Sequence, residues 1–126
     1  MSIIQLRVVS AGLLYLFIFL SGIWLSRSEM PYNTLVLAIH KLFTLSAIIF
    51  FARIIYQMHQ AAKLRAIEFT VVAVTGLLLL GTIISGGLLS TNKPMPAAIL
   101  IMHQITPFLT VLSTAVMFYF LLSRKC

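Results

Sequence analysis

Long, almost unbroken apolar runs alternate with brief polar punctuation along this chain. Four runs are long enough to cross a bilayer, which takes about 20 residues of helix. The first covers residues 8–25, behind Arg7 and ahead of Arg27-Ser28-Glu29; the others cover about 34–56, 66–89 and 96–122. Alternation with a period of two is absent, so neither strands nor a β-barrel fit. The polar connections, Ser26 to Asn33, Gln57 to Arg65 and Ser90 to Met95, are short. Short links make consecutive helices antiparallel neighbours. The pattern therefore predicts an all-α fold: an integral membrane four-helix up-down bundle forming one domain over residues 1–126.

The runs are related in pairs. Displaced by 64 positions, Gly12-Leu13-Leu14 falls on Gly76-Leu77-Leu78, and Ser21-Gly22 falls on Ser85-Gly86. Eight of the fifteen positions from 12 to 26 are identical under that shift. Leucine matches are cheap in an apolar chain, so the weight rests on the glycines and serines. At a shift of 63, Pro31 meets Pro94 and His40 meets His103. The chain reads as two copies of a helical hairpin, each with one histidine early in its second helix. Both odd helices then run outward, so the repeats are parallel and related by an axis near the membrane normal. A first run that repeats the third also argues for a retained helix over a cleaved signal peptide, for which no convincing cleavage site follows.

Composition sharpens this picture. With 61% hydrophobic and 9% charged residues and a mean hydropathy of +1.10, the chain cannot be a soluble enzyme or a disordered segment. The net charge of +7 would point to nucleic acid in a soluble protein. Here the cations flank apolar runs, which is a membrane-anchoring arrangement and no nucleic-acid patch. Arg7, Arg53, Lys63, Arg65, Arg124 and Lys125 fall on one side, against Arg27 and Lys93 on the other. That bias puts both termini in the cytoplasm and suits a bacterial inner membrane. Cys126, the single cysteine, has no partner within the chain and is expected to be inert.

The two intramembrane histidines carry the candidate chemistry. His40 lies roughly 13 Å in from Pro31 and His103 roughly 10 Å in from Pro96, at 1.5 Å per residue, both in the outer half of the bilayer. On helices that are diagonal in an up-down bundle, two inward imidazoles can occupy the two axial positions of one haem iron. Gly22, Gly86 and Gly87 near the outer ends, with Gly76 and Gly81 deeper, would let a flat porphyrin approach the backbone. Thr106, Thr110 and Thr114 follow His103 at helical spacing, and Thr44 follows His40. A threonine or a backbone carbonyl would hold the second ring nitrogen of each histidine. Lys41 and Arg27 are placed to pair with haem propionates. His59 is expected in a cytoplasmic loop, and Glu68 beside Arg65 or Arg53.

These residues resemble the haem-bearing four-helix core of membrane b-type cytochromes, with histidines on the second and fourth helices and glycines on the first and third. The resemblance implies one non-covalent haem b, axial ligands His40 and His103, and Gly22 and Gly86 as the glycine counterparts. One transmembrane histidine per ligand helix departs from two-haem relatives. The implied function is electron transfer between the membrane quinone pool and an outer-face partner, alone, as a homo-oligomer, or as a subunit of a larger oxidoreductase. Two alternatives stay open. One is a cofactor-free structural or assembly subunit whose histidines lock helices together. The other is a small transporter, which ordinarily needs a mid-membrane carboxylate; Glu29 falls in a loop and Glu68 near the end of a span.

Overall fold

A computed structural model of the chain describes residues 2–29 and 31–123; Arg124, Lys125 and Cys126 lie outside the described residues. The fold is all-α, with α1 (Ile3–Arg27), α2 (Thr34–Ala61), α3 (Ala66–Leu89) and α4 (Ala97–Ser123). All four are long and apolar enough to cross a membrane. They form two compact units, 1–62 and 63–126, each an antiparallel pair of helices. Each unit is one of the two repeats read from the sequence.

Local chemistry fixes where the helices begin. Ser2 and Gln5 form a reciprocal cap at α1, the Gln5 N–H donating to Ser2 Oγ at 3.2 Å and the Ser2 N–H to Gln5 Oε1 at 3.0 Å. Asn33 Oδ1 accepts from the N–H groups of Leu35 and Val36 at the start of α2. Glu68 caps α3 by accepting the Arg65 N–H at 2.8 Å. Pro96 stands just before α4, and its carbonyl accepts the Ile99 N–H at 3.0 Å. The α3–α4 turn passes through Asn92 at φ 58°, a left-handed conformation that asparagine tolerates.

The third helix has the boundaries its apolar run predicts, while α1 and α2 overrun theirs. Apolarity marks contact with lipid, whereas a helix ends where its hydrogen bonds do. Gln57, Met58 and Gln60 are good helix formers, and Arg7 from α1 braces that turn. Its guanidinium donates to Gln57 Oε1 at 2.7 Å and to Met58 Sδ at 3.4 Å. His59 consequently sits in the last turn of α2 and not in a loop.

The interior of the first hairpin is apolar and aromatic. Ala11, Ala47, Phe51 and Ile54 are buried. Tyr15 packs on Phe51 with ring centroids 5.6 Å apart, and Phe17 stacks on Phe43 at 5.1 Å. The second hairpin is lined by small hydroxyls instead. Thr75, Ser85, Thr110 and Thr114 are buried beside Met117. Thr75 shares a hydrogen bond with Ser113 across the helices, and Thr82 donates to Thr106 at 2.8 Å. Near the start of α3, Glu68 is 2% exposed and its Oε1 takes the Arg65 guanidinium at 3.1 Å, which is the expected pairing.

Candidate functional site

Each hairpin seats its histidine in the same way. In the second hairpin, His103 reaches from α4 onto α3, where its Nδ1 lies 3.0 Å from the Thr82 carbonyl oxygen and 3.2 Å from Ser85 Oγ. A carbonyl oxygen only accepts, so Nδ1 carries the proton. The Ser85 hydroxyl donates to the carbonyls of Gly81 and Thr82 at 2.8 and 3.0 Å, which turns its lone pairs toward the ring.

In the first hairpin, His40 reaches from α2 onto α1, with Nδ1 2.8 Å from Ser21 Oγ. The Ser21 hydroxyl donates to the carbonyls of Phe17 and Ile18 at 2.9 and 3.0 Å. With its proton on either carbonyl, its oxygen accepts from the imidazole. The Thr82 carbonyl assigns His103 the Nδ1–H tautomer, with the lone pair suited to a metal on Nε2, and the same seat gives His40 Nδ1 a hydroxyl partner.

The glycine after each serine completes the seat. A Cβ at Gly86 would fall 2.7 Å from His103 Cε1, and one at Gly22 would fall 3.2 Å from His40 Cε1. Carbon atoms in ordinary contact stay about 3.5–4.0 Å apart. Bare backbone at these two positions is what lets each imidazole lie against the facing helix. The contact the structure gives Gly22 and Gly86 is therefore the histidine ring of their own hairpin. Among the described residues, nothing lies within 4 Å of a Cβ placed at Gly76 or Gly87.

Lys41 is exposed, one residue beyond His40. Thr106 donates to its own helix at the Met102 carbonyl and accepts from Thr82, so its hydroxyl ties α4 to α3. Thr44 likewise donates to the His40 carbonyl at 2.9 Å. A threonine four residues after a histidine spends its proton on the backbone of its own helix, whereas the ring points to the neighbour. The partners at Nδ1 are thus serines from the facing helix, joined at His103 by the Thr82 carbonyl. The sequence reading misses Ser21 and Ser85 as hydrogen-bond partners of the histidines, although the signal is present: Ser-Gly is the pair that recurs at a shift of 64.

Pro107 sits within a continuous α4, four residues after His103, and supplies no N–H to that carbonyl. Its counterpart in the first hairpin is Thr44. No three His, Cys, Asp or Glu side chains converge among the described residues, so the donor set offers two imidazoles and no closed structural metal site. Each unit thus presents one imidazole on a helix, a donor of the kind that would bind haem iron. Compared with known proteins, the chain matches no family model, no curated protein and no solved structure.

Proposed function

We propose that this protein is a small b-type cytochrome of a bacterial inner membrane, with both termini cytoplasmic. His40 and His103 supply the axial ligands of one haem b. The observation that carries the reading is the repeated seat, Ser21–Gly22–His40 and Ser85–Gly86–His103. A helix-to-helix hydrogen bond needs only a histidine and an acceptor. A ligand needs in addition a ring held in one plane with a partner at its second nitrogen, and both seats supply that partner at Nδ1.

The haem, when bound, supplies one-electron chemistry. The chain's own residues hold and tune it. The histidines fix its position from rigid helices, the serines orient the rings, and the glycines admit them. Lys41, exposed next to His40, is the cation for a propionate. The electron partners in this reading are a membrane quinone and a redox protein or oxidoreductase subunit at the outer face.

The hydrogen bonds from His40 and His103 across their hairpins also favour a second reading, a cofactor-free subunit whose histidines lock helices together. One experiment separates the two. The full chain is purified in detergent from haem-replete cells, and visible spectra are recorded oxidised and dithionite-reduced beside His40→Ala and His103→Ala. A Soret band with sharp reduced α and β bands, weakened or abolished by either substitution, is expected. A colourless parent protein overturns the cytochrome reading and leaves the structural one.

A further inference from the structure

The repeat allows positions held in common to be separated from positions that have diverged inside one chain. Facing positions in the two hairpins differ widely: Ala11 corresponds to Thr75, Phe43 to Thr106, Ala47 to Thr110 and Phe51 to Thr114. Ser, Gly and His keep both identity and mutual contact while this packing around them changes from aromatic to hydroxylic. Packing alone does not call for that constancy. Glycine, alanine, serine and threonine all serve at tight helix crossings, so closeness does not by itself select serine, and a serine hydroxyl whose proton is spent on its own helix adds little to the helix itself. What each hydroxyl adds is an acceptor for Nδ1–H.

Resting on the haem reading above, we propose that Ser21 and Ser85 are positioning residues that set the strength of the axial ligands, and so the reduction potential of the haem. An acceptor at Nδ1–H draws the proton away from the ring and leaves more electron density on Nε2. A richer Nε2 favours ferric over ferrous iron, so the hydrogen bonds lower the potential. The device is local. Each serine reaches the histidine of its own hairpin, and at His103 the Thr82 carbonyl acts on the same nitrogen as Ser85.

The test uses the full chain with 15N-labelled histidine. Nitrogen NMR of the haem-free protein is expected to show a protonated Nδ1 and a pyridine-type Nε2 for both His40 and His103. Redox titration of the haem-loaded protein is expected to give a higher midpoint potential for Ser21→Ala and Ser85→Ala, with the bis-histidine spectrum kept. Ser21→Thr and Ser85→Thr retain the hydroxyl and are expected to return the potential toward that of the parent. If an alanine variant does not fold, Ser21→Cys or Ser85→Cys takes its place, the thiol being the weaker acceptor and the expected direction the same.

A protonated Nε2 in the parent overturns the proposal, as do alanine variants with parental nitrogen signals and parental potential. A parent that takes up no haem overturns the functional reading instead. The nitrogen spectra of parent and variants then decide by themselves whether the serines hold the rings.

Discussion

The two hairpins carry the same site on opposite kinds of scaffold. The first packs its helices with rings and methyls, Phe51 against Tyr15 and Phe17 against Phe43. The second packs them with hydroxyls, Thr75 to Ser113 and Thr82 to Thr106. Within a bilayer the hydrophobic effect does not drive helix against helix, because lipid is as apolar as leucine. Shape and hydrogen bonds remain, and each hairpin relies mainly on one of them. That both deliver a histidine onto a Ser-Gly step shows that the seat does not depend on how the rest of the interface is filled.

The strongest way to break the comparison is to truncate equivalent positions. Phe51 and Thr114 are both buried. Phe51→Ala removes a ring from the centre of the first hairpin and is expected to cost about 3 kcal/mol, the low end for such truncations because lipid and not water is the reference. Thr114 donates to the Thr110 carbonyl of its own helix at 2.7 Å. Thr114→Ala removes one hydroxyl and one methyl and no ring, so it is expected to cost about 1 kcal/mol, well below Phe51→Ala. Unfolding of both variants in detergent or bicelles measures the gap; equal losses would mean that the hairpins do not differ in how they pack.

The next largest effect bears on the seats. Gly86→Ala forces a Cβ to 2.7 Å from His103, closer than real contacts allow, while Gly22→Ala reaches only 3.2 Å from His40. Overpacking of this kind costs about 1–3 kcal/mol, partly offset by the roughly 1 kcal/mol that alanine gains over glycine in a helix. At Gly86 the clash is expected to win, displacing the ring and, in the proposed haem reading, removing most haem binding. At Gly22 the two terms come close to cancelling. Haem content per chain, read by pyridine haemochrome, is the measurement, and a larger loss at Gly22 would reverse the ranking of the two seats.

A third and smaller difference lies at the start of the odd helices. Glu68 has Ile4 as its counterpart, so a buried carboxylate caps α3 where α1 is capped by Ser2 and Gln5. Glu68→Ala removes the cap and the Arg65 pair together. Arg65 remains largely exposed and can return to water, so the loss is expected at about 1–2 kcal/mol and not at the larger cost of stranding a buried charge. A chemical melt of the variant checks the magnitude, and a loss above that range would mean that Arg65 is stranded after all.

These contrasts mark what the sequence carried. Apolar run length fixed the number and type of helices, because a bilayer imposes one length on every span. It misplaced the ends of α1 and α2, since Gln57 to Ala61 are helical through backbone bonds and the Arg7 brace, neither of which hydropathy registers. The histidines and glycines were legible as a repeated group, and so was the Ser-Gly step. The role of the step was not, because contact between residues 21 and 40, or 85 and 103, depends on the rotation of one helix against another. The threonines misled for a related reason. Thr106 has the spacing of a ligand partner, yet a hydroxyl on the same helix is taken up by the carbonyl behind it.

The smallest expected effect is also the most direct probe of the hydroxyl packing. Thr75 and Ser113 meet across α3 and α4, and their counterparts Ala11 and Phe50 have no hydroxyl to share. Hydrogen bonds between membrane helices average about 0.6 kcal/mol in double-mutant cycles, because the separated helices find other partners. A cycle of Thr75→Ala, Ser113→Ala and the pair is expected to return a coupling near that value. Ser113→Ala is expected to lose about that coupling energy in the parent background and none of it once Thr75 is alanine. The reciprocal change, Ala11→Thr, should show no coupling to Phe50→Ala beyond packing, since one hydroxyl without a facing partner turns back to its own helix. A coupling near zero at Thr75 and Ser113 would mean that the second hairpin is held by fit alone, as the first is, and that its hydroxyls only satisfy themselves.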